Sequence, residues 1–76
     1  MIKLWLVREN NGLYSLFYNE PILAKVGVTE EQTWYPSPGE PIGIRHLCTW
    51  GIEKLFNIQL PILGICRVKL KLQTIT

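Results

Sequence analysis

Asn10-Asn11-Gly12 lies between two apolar runs, Ile2 to Arg8 and Leu13 to Asn19, and no other feature constrains the fold of this chain as strongly. Asn-Gly between alternating apolar stretches is the strongest short-range signal for a β-hairpin, because both residues accept the positive φ that a tight turn demands. Two registers follow from it. With Asn11-Gly12 as the turn, Trp5 faces Tyr18, Val7 faces Leu16 and Lys3 faces Glu20. With the turn on Asn10-Asn11 and Gly12 as a bulge, every pair shifts by one residue. Both faces of the hairpin are apolar, since Leu4, Leu6, Leu13 and Phe17 are matched by Trp5, Val7, Leu16 and Tyr18 when Trp5 faces Tyr18. A sheet with one face in water alternates apolar with polar residues. Either a helix covers one face and loops the other, or a partner does, and 76 residues leave little chain for the first arrangement.

The rest of the chain supplies a third, weaker strand over Ile22 to Val28, a single turn of helix at most around Thr29 to Gln32, and a loop from Pro36 to Pro41. The spacing predicts a helix over Ile44 to Asn57, with Ile44, Leu47, Cys48, Gly51, Ile52, Leu55 and Phe56 on one arc. Gly51 in the middle of that arc would let the helix approach a sheet closely, and Asn57 is a suitable end signal. Leu63 to Ile75 alternates strictly, with Cys66, Val68, Leu70 and Leu72 on one side and Arg67, Lys69, Lys71 and Gln73 on the other. The order strand, strand, third strand, helix, strand makes a single α+β domain over residues 1–76, a small antiparallel sheet of three or four strands with one helix packed on a face.

Composition sharpens this reading. Hydrophobic residues are 47% and charged residues only 18%, too apolar for intrinsic disorder. A domain this small buries only about 60% of its unfolded surface and should be comparatively polar. The mean hydropathy of +0.13 points the other way and implies that another chain covers some apolar surface. Eight basic and six acidic side chains give a net charge of +2, well short of a dedicated nucleic-acid binder. All six acids are Glu, which removes Asp-based metal and phosphoryl-transfer motifs. The longest apolar run, Leu60 to Cys66, is far too short to span a bilayer, and the apolar stretch after Lys3 is too short for a signal peptide. The expected location is cytoplasmic, with Cys48 and Cys66 as reduced, buried thiols rather than a disulfide.

No catalytic or metal-binding constellation emerges. One His and two Cys fall short of a zinc ligand set, and a helix would point His46 and Cys48 to opposite sides. A Cys–His nucleophile needs both groups within hydrogen-bond reach, and Glu30, Glu31, Glu40 and Glu53 lack any sign of the burial that acid–base work requires. The expectation is a protein that is not an enzyme and takes no cofactor. Trp50 is the sharpest anomaly: the helix wheel puts it among His46, Glu53, Lys54 and Asn57, on the face that should be wet. It is either an interface anchor or a side chain over which the Pro-rich loop folds. Arg67, Lys69 and Lys71 form a basic stripe, which Lys3 extends if the first strand lies alongside. Such a stripe attracts phosphates, and it also protects an edge strand from unwanted pairing.

The stretch from Lys3 to Pro21, with its strand, Asn/Gly turn, aromatic-rich strand and terminal Pro, followed by Trp34, resembles the opening of short uncharacterised proteins of gut bacteria and their prophages. The resemblance covers the first third of the chain and implies an accessory protein of a phage or mobile element; it carries no site residues across. The leading expectation is therefore a small interaction protein that forms a homodimer, or binds a host protein, through one face of the hairpin, using Trp5, Phe17 and Tyr18 with Trp50 as a second contact. The alternative is a nucleic-acid-binding accessory protein that uses Arg67, Lys69 and Lys71.

Overall fold

The computed structural model describes residues 2–39 and 43–70. In chain order these form β1 (Ile2–Arg8), β2 (Tyr14–Phe17), β3 (Ile22–Lys25), β4 (Gln32–Tyr35), β5 (Ile44–Leu47), α1 (Thr49–Phe56) and β6 (Ile65–Leu70). The fold is α+β. Four strands build an antiparallel sheet in the order β5-β2-β1-β6, and β3 pairs with β4 in a separate antiparallel ribbon.

The first hairpin takes the bulged register, with Trp5 opposite Phe17 and Val7 opposite Ser15. Gly12 N–H donates to the Glu9 carbonyl at 2.9 Å, closing a turn centred on Asn10-Asn11, and Gly12 follows with a φ of +88°. A glycine in this left-handed position after a tight turn is the usual way to close a three-residue hairpin loop. Asn11 secures it by accepting the Leu13 N–H on its Oδ1 at 3.0 Å.

Both apolar faces of this hairpin are covered by the chain itself. On one side Leu4, Leu6, Tyr14, Leu16 and Val68 pack with Ile52 of α1, joined by Phe56, Ile58 and Leu60. On the other, Val7 and Phe17 pack with Trp34 of β4, joined by Leu23 and Ile65. The second ribbon thus does what the sequence seemed too short to do. The expectation of an open hairpin face waiting for a partner is corrected here. Its cause is the run Gln32-Thr33-Trp34-Tyr35, in which the β-branched and aromatic residues make a strand rather than the end of a helical turn.

The helix begins later than its periodicity suggests. Ile44 to Leu47 is a strand that pairs with β2, Tyr14 opposite Leu47 and Leu16 opposite Ile44, with an irregularity between the two pairs. One extra residue on β5 puts Ile44 and Leu47 on the same face three positions apart, a spacing that reads as helical in the sequence. His46 absorbs the bulge with a φ of +59°. Of the predicted arc, Ile52 is buried and Phe56 half-buried, while Leu55 is exposed. A side chain at Gly51 would meet nothing within 4 Å, so that glycine serves no close approach. Asn57 does end the helix, in the left-handed conformation at φ 53°. Beyond β6, Lys71, Leu72 and Gln73 lie outside the described residues.

Candidate functional site

Three groups of residues could carry a function. The first is built on Glu9, the residue just past β1, whose side chain is 3% exposed. Its Oε2 accepts from Ser15 Oγ at 2.8 Å, from Arg45 Nη2 at 2.8 Å and from Arg45 Nε at 3.2 Å. The Thr33 hydroxyl reaches Oε1 at 3.4 Å, and Arg45 Nη2 also donates to the Trp34 carbonyl at 2.8 Å. Burial alone would push this carboxyl up; the Arg45 guanidinium, with the Ser15 hydroxyl, outweighs it and holds Glu9 below the ordinary carboxylate range. Four elements therefore converge on one charge pair: β1, β2, β4 and β5. A cleft of about 460 Å³ opens beside it, lined by Glu9, Asn11, Glu31, Thr33, Tyr35 and His46.

The second group is the outer surface of α1. Trp50 is 70% exposed, the Nζ of Lys54 lies 4.9 Å from its ring centre, and Leu55 is 63% exposed. Tyr14 anchors the inner side of this helix: its hydroxyl donates to Glu53 Oε2 at 2.8 Å and accepts the Leu60 N–H at 2.9 Å. Burial, together with Glu53, raises the pKa of that phenol.

The third group is the far end of β1 and β6. Lys3 stands opposite Lys69, and Trp5 opposite Arg67, whose guanidinium lies 5.3 Å over the Trp5 ring. Lys3, Arg67 and Lys69 are exposed and Trp5 is half-buried. The alignment of β1 with β6 thus brings an aromatic onto the basic face, where the stripe on β6 alone has none.

Of the residues expected at a partner surface, Trp50 is exposed and Tyr18 is 52% exposed, whereas Phe17 is 1% exposed and belongs to this chain's own core. Trp5 is half-buried beneath Arg67. Arg67 and Lys69 are exposed as expected on β6, and Lys71 is outside the described residues. His46 sits in the β5 bulge within hydrogen-bond reach of Asn11, its Nδ1 at 3.5 Å from the Asn11 amide nitrogen. No group of three or more potential metal ligands comes together among the described residues, and no helix among them is long and apolar enough to cross a membrane.

The cysteines part company. Cys48 is exposed at the start of α1, which corrects the expectation of two buried thiols; Cys66 is partly buried, and burial pushes its thiol pKa up. Only the thiolate is nucleophilic. Limited treatment with iodoacetamide at mildly alkaline pH is expected to modify Cys48 well before Cys66, as read by mass spectrometry of the peptides.

The Glu9–Arg45 pair escaped the sequence reading because a helical Arg45 could not reach the turn. The signal for it was the alternation along β1, which carries Glu9 to the side of Val7, two residues before it, where a buried carboxylate needs a partner. Comparison with protein-family models, with curated proteins and with solved structures finds no match.

Proposed function

We propose that this chain is a non-enzymatic interaction protein that self-associates as a dimer through the outer surface of α1, with Trp50 as the anchor. The observation that carries the reading is the exposure of Trp50, 70% on a helix whose inner side already closes the core through Ile52. Most of the Trp50 ring therefore lies outside the packing of this chain. Tryptophan is the residue type most enriched among interface hot spots, where it fills a desolvated pocket surrounded by weaker contacts. The Lys54 ammonium near the ring strengthens its hold once water is excluded. A dimer contact here also accounts for the apolar, charge-poor composition now that the hairpin faces are covered internally. An accessory role in a mobile element, as the resemblance of the first hairpin implies, is compatible with such a module.

Size exclusion with light scattering tests this. The wild-type mass is expected to rise to that of a dimer over a tenfold concentration range. Trp50→Glu is expected to remain monomeric throughout and to keep its fold, because Glu four residues before Lys54 is a favourable helical pair. A wild-type monomer at every concentration, or a Trp50→Glu dimer, overturns the proposal.

A further inference from the structure

We propose that the face formed by Lys3, Trp5, Arg67 and Lys69 is a binding surface for single-stranded nucleic acid, separate from the α1 contact. The register places Lys3 directly opposite Lys69, and the Trp5–Arg67 pair is two residues further along on the same face. Like charges directly opposite across a sheet repel and destabilise it. Among the described residues neither lysine nor Arg67 has a carboxylate partner; the ion pairs formed are Lys25 with Glu30 and Arg45 with Glu9. Solubilising an edge would explain cations on β6, an outer strand, but it does not explain Lys3 on β1, which lies inside the sheet.

A linear polyanion removes the repulsion. Cations two residues apart on a strand are separated by about 6.6 Å, so an extended phosphodiester chain can run along the strands and meet Lys69 and Lys3 with one phosphate and Arg67 with the next. Between them the guanidinium layered on Trp5 offers a flat cationic surface on which a base can stack. The second ribbon covers the Val7–Phe17 end of this face and leaves the lysine end open. A duplex is a poorer fit, because the only helix among the described residues packs on the opposite face. A lipid surface would want exposed apolar anchors beside the cations, and Trp5, the aromatic beside them here, is half-buried.

The test measures fluorescence anisotropy of a labelled oligothymidylate of about 12 nucleotides against a salt series, with a duplex of equal length and phosphatidylglycerol vesicles as competitors. The two phosphates so neutralised predict a slope of log K against log salt of roughly −1.4. Lys3→Glu is the decisive variant. It turns the repulsive pair into an attractive one, so its melting temperature is expected to rise while its affinity falls and its salt slope drops by roughly one. Arg67→Gln is expected to weaken binding and lose the quenching of tryptophan fluorescence that stacking produces. Absence of binding at low salt, a stronger hold on duplex or vesicles than on the single strand, or unchanged affinity in Lys3→Glu would each overturn the assignment.

Discussion

Arg45→Met is expected to cost about 3–5 kcal/mol, the penalty for stripping one partner from a buried ion pair. That is a large share of the roughly 5–15 kcal/mol that holds a small domain folded, and for a chain of this size it corresponds to a fall in Tm of at least about 12 °C. The variant leaves Glu9, 3% exposed, with only the neutral hydroxyls of Ser15 and Thr33 as side-chain donors among the described residues, and it takes Arg45 from the Trp34 carbonyl. Glu9→Gln is expected to cost less. Arg45 is 26% exposed and can turn to water, whereas Glu9 cannot. The pH dependence distinguishes the two further. In the wild type the folded carboxyl lies below its unfolded value, so its contribution is complete above the ordinary carboxylate pKa and is lost as pH falls through the lowered one. Glu9→Gln removes that acid-side loss. In Arg45→Met the loss is expected to disappear too, because burial, the largest influence on this carboxyl, then favours its neutral form. Urea midpoints between pH 7 and the acid limb check all three statements. An Arg45→Met midpoint within about 0.5 kcal/mol of the wild type would contradict them.

How far the sequence revealed this arrangement depends on the range of the interactions involved. The first hairpin, the alternating strand β6 and the end of α1 at Asn57 rest on local chemistry, and all three are present. The helix wheel placed Trp50 on the polar side, but whether the Pro-rich loop folds over it is a long-range question that the segment leaves open; in the structure Trp50 is 70% exposed. What failed was the boundary at Ile44. A bulged strand and a helix both repeat at three residues, and only the pairing with β2, some 30 positions away, separates them. Misreading β5 hid the partner of Glu9, and reading past β4 hid the cover over Phe17. Both errors fell on pairings that no local window contains. The basic face was half-visible: strand period showed Arg67 and Lys69, but the β1–β6 register was needed to bring Lys3 and Trp5 beside them.

Two glycine substitutions should move stability in opposite directions, and the larger effect belongs to Gly43. A Cβ built there falls inside the van der Waals envelope of the Leu16 carbonyl oxygen, 2.7 Å from its carbon and 3.0 Å from the Phe17 Cα. These are backbone atoms of a central strand, and no rotamer change can move them aside. Overpacking normally costs about 1–3 kcal/mol and more where the surroundings cannot yield, so Gly43→Ala is expected at or beyond the top of that range. Gly51 is the third residue of α1, with open space where its Cβ would be, and Gly51→Ala is expected to gain up to about 1 kcal/mol from helix propensity. The contrast also bears on function, because Gly43 sets the approach of β5 to β2, and β5 carries Arg45 to Glu9 and leads directly into α1. Gly43→Ala should therefore lose the Glu9-dependent acid limb of stability as well as its midpoint, whereas Gly51→Ala should keep the acid limb. A Gly43→Ala protein as stable as the wild type would mean that β5 does not pack against β2 as closely as this register requires.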